Sequence, residues 1–278
     1  MKLAILLATY NSGFRLKILL NSLFNQSNQN WVLYIHDDLS TDETLDIITR
    51  YSHNYPNKIY LMDDDIKKRR GAKNSFFWLL QNINADYYMF CDHDDLWLPN
   101  KITISLDRIQ ELEKKYIHKP ICVFTDLAIV DDKYNIIYHS MWKKAKLNPN
   151  ILKKDEYLKV FNCVTGCTML FNKKAKEISL PYPNDVPMHD WWIAYKINQK
   201  NGILSCINKS TILYCQHNNN VIGAKQIDLS YLIKKITSLG MTYKLNKEKI
   251  EFLKQNENYS TYTYIWYKLL YTIYRFFI

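Results

Sequence analysis

The chain has 278 residues, 47% of them hydrophobic, and a formal net charge of +10. This length and apolar content suit one large domain with a sizeable core, and they exclude a disordered or low-complexity protein. The positive charge is compatible with nucleic acid, a membrane surface or an anionic substrate. Because the sequence contains no nucleic-acid-binding motif, we expect no nucleic-acid partner.

The cysteines and the apolar segments bear on the cellular compartment. The six cysteines lie mostly within apolar runs and lack the paired spacing of a zinc site, which predicts a reduced protein without disulfides. No stretch is long enough for a transmembrane helix, and the first residues lack the layout of a cleavable signal. We therefore expect a cytoplasmic location, with the inner face of the cell membrane as one option.

The first half of the chain alternates apolar runs with segments of helical spacing. The predicted strands are residues 3–8, 31–36, 58–62, 87–91 and 120–124. The predicted helices are residues 14–25, a segment from the capping residues 40–43 to about 52, then 72–83 and 100–116. In the second helix, Leu45, Ile47 and Ile48 are expected to point inward. Such alternation predicts an α/β fold with a mostly parallel sheet.

The pattern changes after about residue 125. Short strands near 126–131 and 135–139 are expected to form a hairpin, and further strands are predicted at 165–171, 203–207 and 210–216. A helix is predicted at 189–200, and the chain from about residue 227 is helical in pattern and rich in Lys and Tyr.

Clustered carboxylates follow the fourth predicted strand, in the segment Phe90-Cys91-Asp92-His93-Asp94-Asp95-Leu96-Trp97. Like charges at the edge of a core cost free energy unless a cation or a ligand compensates them. Carboxylate oxygens suit Mg²⁺ or Mn²⁺, so the segment predicts either a metal-assisted site for a phosphorylated substrate or a solvated turn.

Two other predicted strands also end in polar residues, Thr9-Tyr10-Asn11 and Asp37-Asp38. In parallel α/β sheets, ligands bind at the carboxyl ends of the strands. The three polar ends should therefore gather along one edge of the sheet, which favours a binding site over a solvated turn.

Six segments carry a family resemblance: Ala8-Thr9-Tyr10-Asn11, Asp37-Asp38-Leu39-Ser40-Thr41-Asp42, Asp92-His93-Asp94-Asp95-Leu96-Trp97-Leu98-Pro99-Asn100-Lys101, Thr165-Gly166-Cys167-Thr168, His189-Asp190-Trp191-Trp192 and Gln216-His217-Asn218-Asn219-Asn220. In this order they resemble an inverting family 2 glycosyltransferase of the GT-A type. The run from Phe124 to Trp142, together with the segment 188–192, resembles bacterial rhamnosyltransferases of polysaccharide assembly in particular. Leu39 departs from the family, which commonly has Gly there, so the turn after Asp38 is expected to differ slightly.

The resemblance implies a fold and a division of the chain. The fold would be α/β of the GT-A type, a Rossmann-like nucleotide-diphospho-sugar transferase with a mixed, mostly parallel sheet flanked by helices. The catalytic domain would span residues 1–225, with a nucleotide-binding half at 1–125 and an acceptor-binding half at 126–225. A helical, basic and aromatic C-terminal segment would follow at 226–278.

The resemblance also implies roles for the polar residues. The donor nucleotide would be bound by Thr9, Tyr10, Asn11, Asp38 and Asp92, and Lys73 and Asn74 are added because they open a predicted helix. A solvated lysine is an equal alternative for Lys73. Asp94 and His217 would bind Mn²⁺ or Mg²⁺, with His93 and Asp95 as support.

Asp190 is the candidate general base, because inverting transfer is a single displacement in which one carboxylate deprotonates the acceptor hydroxyl. From the residues alone, an Asp at a helix start is more often a cap. The predicted sugar pocket consists of Thr165, Gly166, Cys167, His189, Trp191 and Trp192.

The implied partners are a dTDP- or UDP-sugar donor, with dTDP-rhamnose as one candidate, and a saccharide or lipid-linked acceptor. The basic, aromatic segment 227–278 predicts either peripheral contact with a membrane or packing on the domain or a second subunit, so the oligomeric state stays open. Two other functions are compatible with parts of the sequence. One is a metal-dependent nucleotidyltransferase, although none of the six glycines forms a phosphate loop. The other is a non-catalytic carbohydrate- or membrane-binding module.

Overall fold

The structure is a computed structural model and describes residues 1–63, 68–215 and 239–277. Its strands are β1 (Leu3–Thr9), β2 (Trp31–Asp37), β3 (Ile59–Leu61), β4 (Tyr87–Asp92), β5 (Leu96–Trp97), β6 (Ile121–Val130), β7 (Ile136–Tyr138), β8 (Met169–Asn172) and β9 (Ile203–Cys215). Its helices are α1 (Gly13–Phe24), α2 (Thr44–Asn54), α3 (Gly71–Asn82), α4 (Lys101–Lys115), α5 (Met141–Lys144), α6 (Pro149–Leu152), α7 (Asp155–Val160), α8 (Lys173–Ser179), α9 (His189–Gln199), α10 (Leu239–Glu257) and α11 (Thr261–Phe276).

Within these residues the strands form a single mixed sheet in the order β3-β2-β1-β4-β8-β6-β9-β5, and β7 pairs with β6. The strands of the first half, β1 to β4, are parallel to one another, as the strand–helix alternation predicts. Strand β8 is antiparallel to both β4 and β6, and it joins the two halves of the sheet.

Both faces of the sheet are covered. Ile5 and Leu7 of β1 pack with α1, α2 and α4, whereas Leu6 faces the opposite side and packs with Phe76 of α3. Every residue of β1 is buried. A strand that is covered on both faces has no solvent-exposed face, which explains its uninterrupted apolar sequence.

Several predicted elements of the second half differ from the structure. The strands predicted at 120–124 and 126–131 are one strand, β6, and those predicted at 203–207 and 210–216 are one strand, β9. Polar residues interrupt both apolar runs where the β6–β9 register shifts, so the sequence pattern suggested a break. The strand predicted at 165–171 begins only at Met169, because residues 166–168 form a 3₁₀ turn. Leu45 of α2 is 39% exposed and does not point inward, unlike Ile47 and Ile48.

The helical pattern predicted after residue 227 is present as α10 and α11, and residues 216–238 lie outside the described part of the chain. Ile250, Phe252 and Leu253 of α10 are buried and join the core on the α3 and α9 side of the sheet. Among the described residues, no helix is long and apolar enough to cross a membrane.

Candidate active site

The carboxyl ends of β1, β2 and β4 meet, as predicted. Thr9 pairs with Asp37 and Ala8 pairs with Asp92 across the parallel ladders. The Thr9 hydroxyl donates a hydrogen bond to Oδ1 of Asp37 at 2.8 Å. The polar groups that follow the three strands therefore share one edge of the sheet, where α/β proteins bind their ligands.

The turn after Asp38 adopts a left-handed backbone although it carries leucine. Leu39 has a φ angle of 64°, the left-handed conformation that glycine commonly adopts, so the backbone at this residue does not show the expected difference in the turn. A side chain with a Cβ in this region costs about 1 kcal/mol. Hydrogen bonds to Asp37 offset the cost: the Ser40 N–H donates to its Oδ2 at 2.8 Å, and the Ser40 hydroxyl donates to its Oδ1 at 2.6 Å.

Asp38 is 4% exposed and anchors the backbone that leads into α3. Its Oδ1 accepts a hydrogen bond from the Arg70 N–H at 2.6 Å, and its Oδ2 accepts one from the Gly71 N–H at 2.9 Å. Because each carboxylate oxygen has two lone pairs, these bonds leave acceptor capacity for a ligand. The predicted contact of Asp38 with a nucleotide base stays a prediction.

Arg69 is a site residue that the sequence did not single out. Its guanidinium carbon lies 3.4 Å from the centroid of the Tyr10 ring, and its Nε lies 3.6 Å from Oδ2 of Asp38. Arg69 therefore lies over the ring of Tyr10, which the resemblance assigns to nucleotide binding. The only sequence signal was the local basic run at residues 67–70.

Lys73 and Asn74 of α3 use their side chains within the protein. The Lys73 ammonium donates to the carbonyl oxygens of Val186 at 2.8 Å and Asn184 at 3.3 Å. The Asn74 amide donates to the Arg70 carbonyl at 2.9 Å. Lys73 thus ties α3 to the loop before α9, and this contact favours a structural role over the predicted phosphate contact.

The acidic segment after β4 brings like charges together in a largely buried site. Ligand atoms of Asp92, Asp95 and Cys167 lie within 4.8 Å of one another. Burial and the neighbouring charge of Asp94 raise the pKa of Asp92 to about 7. Asp95 is fully buried, and burial followed by the charges of Asp92 and Asp94 raises its pKa well above the usual range.

A divalent cation would compensate these clustered carboxylates. Both carboxylate oxygens of Asp95 are buried without a hydrogen-bond partner. A buried carboxylate costs free energy when no positive charge compensates it. Asp94, the predicted metal ligand, is half-buried and is not one of the three clustered residues. Mg²⁺ and Mn²⁺ prefer oxygen to a thiol, so the carboxylates are the fitting ligands and Cys167 is not.

Lys101 is a second residue whose environment the sequence did not predict. It is fully buried, its Nζ has no hydrogen-bond partner, and that atom lies 4.6 Å from the centroid of the Trp97 ring. Burial lowers its pKa to about 8. The ammonium group supplies a positive charge near the acidic cluster, because the charge of Asp95 is among those that act on it.

Asp190 opens α9 and is 6% exposed. Its Oδ2 accepts a hydrogen bond from the Gly166 N–H at 3.0 Å, and its Oδ1 accepts one from the Trp191 N–H at 2.5 Å. Burial raises its pKa to about 6, against the opposing effect of these two N–H groups. The charge of Asp190 also raises the pKa of Asp92, so the start of α9 lies near the end of β4.

The aromatic residues beside Asp190 belong to the core, which corrects their assignment to a sugar pocket. Trp191 is 1% exposed and Trp192 is 6% exposed. Their indole N–H groups donate to the carbonyls of Leu158 and Ser179, both at 2.8 Å. Buried rings with satisfied N–H groups cannot stack on a sugar. The helix is covered on all sides by α7, α8 and α10, which the local sequence does not reveal.

His189 is also a core residue and not an exposed acceptor contact. Its ring centroid lies 4.5 Å from that of Phe76 and 4.8 Å from that of Phe90. Burial and the nearby Lys73 charge lower its pKa to about 3, so the ring is neutral at physiological pH. Gly166 and Cys167 are buried beside it, whereas Thr165 is half-buried.

A cavity of about 350 Å³ lies beside the β1 end, between the α1 start and the hairpin loop. Asn11, Arg15, Asp132 and Tyr134 are among its lining residues. His217, the other predicted metal ligand, lies outside the described residues, so its predicted role remains a prediction.

Carboxylates at the ends of parallel strands, with a buried aspartate facing them from a helix start, define a site suited to a phosphorylated ligand and a proton transfer. The sequence model of glycosyl transferase family 2 matches residues 4–179. The chain therefore belongs to glycosyl transferase family 2. This membership favours glycosyl transfer over nucleotidyl transfer and over a non-catalytic module.

Two relatives have assigned activities. The dTDP-rhamnosyl transferase RfbG of Shigella flexneri is 28% identical over 233 residues, which are 78% of this chain and 74% of RfbG. The UDP-Glc:alpha-D-GlcNAc-diphosphoundecaprenol beta-1,3-glucosyltransferase WfgD of Escherichia coli is 24% identical over 208 residues, which are 74% of this chain and 72% of WfgD.

Solved structures show the same fold. The mannosyltransferase PcManGT of Pyrobaculum calidifontis, in complex with GDP-Man and Mn²⁺, has a TM-score of 0.60 and 14% identity, covering 98% of this chain and 68% of that one. TarS residues 1–349 of S. aureus, in complex with UDP-GlcNAc, has a TM-score of 0.56 and 19% identity, covering 94% and 74%. The α/β fold of this chain is thus the GT-A glycosyltransferase fold predicted from the sequence.

Proposed function

We propose that this chain is an inverting glycosyltransferase that moves a sugar from a nucleoside diphosphate donor to a saccharide or lipid-linked acceptor in bacterial surface polysaccharide synthesis. The observation that carries the proposal is the position of Asp190, a buried carboxylate at the start of a helix whose first residue, His189, packs against Phe90 of β4. The proposed domain comprises residues 1–225, with the segment 226–278 as an addition to it.

In this mechanism Asp190 removes the proton from the acceptor hydroxyl as that oxygen attacks the anomeric carbon. A pKa of about 6 suits a general base near neutral pH, because the group is ionised yet still takes a proton readily. The hydrogen bonds from the Gly166 and Trp191 N–H groups fix the orientation of the carboxylate. The Asn162 side chain hydrogen-bonds to this carboxylate as well. Because the two oxygens together have about four lone pairs, one remains for the acceptor hydroxyl.

Asp94, supported by Asp92 and Asp95, would hold Mn²⁺ or Mg²⁺, and the bound ion would stabilise negative charge on the leaving diphosphate. The unpartnered oxygens of Asp95 and the raised pKa of Asp92 support this assignment. Thr9, Tyr10, Asn11 and Asp38 lie along the same edge and form the proposed nucleotide side.

The relatives guide the choice of substrates. RfbG is named for dTDP-rhamnose transfer, so dTDP-rhamnose is the first donor to test. WfgD is named for an acceptor linked to diphosphoundecaprenol, which supports a lipid-linked acceptor and peripheral contact with the membrane for this chain.

The decisive experiment replaces the proposed base. Nucleotide release from a panel of dTDP- and UDP-sugars with Mn²⁺ and lipid-linked acceptors identifies the donor. With that donor, we expect Asp190→Asn to lower kcat by about 10²–10⁴-fold, as loss of a general base does, while nucleotide binding by calorimetry stays near that of the wild type.

Glu111→Gln is the matched control, since that side chain is 67% exposed and pairs only with Arg108 among the described residues. Wild-type turnover in Asp190→Asn would refute the assignment of the base. Release of pyrophosphate in place of a nucleoside diphosphate would refute glycosyl transfer.

A further inference from the structure

Helix α11 exposes a stripe of large apolar side chains, which we call the α11 stripe. Its members and their exposed fractions are Tyr262 (88%), Trp266 (62%), Leu270 (38%), Ile273 (41%) and Phe277 (82%). At about 100° per residue, these positions fall within an arc of about 80°. The stripe runs for about 22 Å along the helix at 1.5 Å per residue.

The opposite face of α11 is fixed to the rest of the protein. Tyr264 and Tyr271 are buried, and the Tyr271 hydroxyl accepts a hydrogen bond from the Asn148 N–H at 2.7 Å. The Lys268 ammonium donates to the Val160 carbonyl at 3.1 Å. Arg275 donates through its Nε to the Ala145 carbonyl at 3.1 Å. The helix is thus held in place with the stripe directed outward.

The charged residues of the segment 258–277, which carries the α11 stripe, have one sign. They are Lys268 and Arg275, and no Asp or Glu occurs there. On the opposite face of α11 the packed elements carry both signs: segment 141–154 contains five lysines, and α7 begins with Asp155 and Glu156. An apolar face that carries Trp, Tyr and Phe, on a chain of net charge +10, is complementary to a bilayer surface with anionic headgroups.

A second copy of this chain is the other candidate occupant. A symmetric dimer through the α11 stripe would bring the same face of two positively charged chains together, because a two-fold interface uses the same patch twice. With a net charge of +10 on each chain, such contact is disfavoured by repulsion.

We infer that the α11 stripe docks on an anionic lipid surface, where its aromatic side chains enter the headgroup region and the net positive charge of the chain favours anionic headgroups. The inference extends the proposed function, because it would place the site beside a lipid-linked acceptor. It does not depend on catalysis and can be tested without any sugar donor.

The test is co-sedimentation of the whole chain with vesicles of phosphatidylcholine, with and without phosphatidylglycerol. We expect binding to the anionic vesicles and about tenfold weaker partitioning for the double variant Trp266→Ser, Phe277→Ser. Phe14→Ser is the matched control, because Phe14 is a 66% exposed aromatic residue outside α11, and it should bind as the wild type does. Binding to the anionic vesicles should weaken as salt is added, because salt screens the attraction between the basic chain and the headgroups.

Quenching of Trp fluorescence by brominated lipid adds a depth measurement. Among the described residues Trp266 is the tryptophan that lies in the stripe, so the quenching should disappear in Trp266→Phe while binding persists. Absence of vesicle binding, unchanged binding of the double serine variant, or a stripe-dependent dimer in solution would each overturn the inference. Because no nucleotide is present, these outcomes leave the test of Asp190 independent.

Discussion

Asp190 and Lys249 carry opposite charges where α9 and α10 pack together. The Lys249 Nζ lies 4.7 Å from the centroid of the Trp191 ring, next in the chain to Asp190. Burial lowers the pKa of Lys249 to about 8, and the charge of Asp190 opposes that shift. Lys249 in turn lowers the pKa of Asp190. A cation from outside the family-matched residues thus helps to keep the proposed base ionised.

We expect Lys249→Met to raise the pKa of Asp190 above its value of about 6. Since the base acts when deprotonated, kcat/KM rises with pH through the pKa of Asp190, and the variant's acidic limb should move to higher pH. The measurement is the pH profile, together with ¹³C NMR titration of the Asp190 carboxyl carbon in metal-free protein.

Lys254→Met removes an exposed lysine from the same helix and should leave both measurements unchanged. Lys249→Arg should restore the wild-type profile, because it returns the charge. An unaltered Asp190 titration in Lys249→Met would contradict the coupling, whereas an altered titration with an unaltered kinetic profile would contradict the role of Asp190 as base.

Gly166 illustrates how closely the 3₁₀ turn approaches α9. A Cβ at this position would lie 2.9 Å from Nε2 of His189, whose ring is enclosed by Phe76 and Phe90. We expect Gly166→Ala to lower the free energy of unfolding by about 1–3 kcal/mol, as overpacking does. Urea denaturation measures this change.

A double-mutant cycle with His189→Ala separates the clash from other effects. The space left by the imidazole should accept the added methyl group, so Gly166→Ala should cost less in the His189→Ala background. Equal costs in the two backgrounds would mean that the turn, and not the approach to His189, accounts for the glycine.

At the scale of elements, the long periodic segments of the first half were predictable and the short ones were not. Helices α1 to α4 and strands β1 to β4 follow their apolar spacing closely. Helices α5 to α8 have four to seven residues each, too few for a periodic signal to develop.

The candidate site was predictable where it depends on strand ends and not where it depends on packing. Asp92 and Asp38 could be placed because a polar residue that ends a buried strand is visible in the sequence. The burial of Trp191 and Trp192 could not, since it is produced by helices distant in the chain. For the same reason Arg69 and Lys249 were missed: each reaches the site through a tertiary contact.

At the scale of the whole molecule, the proposed catalytic centre combines residues from inside and outside the family-matched region. The family-matched residues 4–179 supply the sheet edge and the acidic cluster, whereas Asp190 and Lys249 lie beyond them. Phe252 of α10 packs edge-on against both Trp191 and Trp192, with ring centroids 5.7 and 5.8 Å apart. Packing of the C-terminal helices therefore helps to position the proposed base, and we expect changes in this packing to affect both stability and turnover.

Binding of a divalent cation and a nucleotide should raise the thermal stability of the intact protein. The repulsion among Asp92, Asp94 and Asp95 destabilises the cation-free fold, and a divalent cation that binds only the folded state raises its stability. We expect Mn²⁺ to raise Tm, with a further rise on addition of dTDP or UDP, and excess EDTA to reverse the effect of Mn²⁺. At a ligand concentration of about one hundred times Kd, the gain is about 2.7 kcal/mol.

Asp94→Asn should reduce the Mn²⁺-dependent rise and the nucleotide increment that depends on it. Glu111→Gln, which removes an exposed carboxylate from α4, should respond to both ligands as the wild type does. If Asp94→Asn retained the full rise, the ion would be bound elsewhere. If wild type and variant showed a nucleotide-dependent rise without any cation, charge on the diphosphate would have to be met by protein cations, and Arg69 is the exposed candidate beside Tyr10 and Asp38.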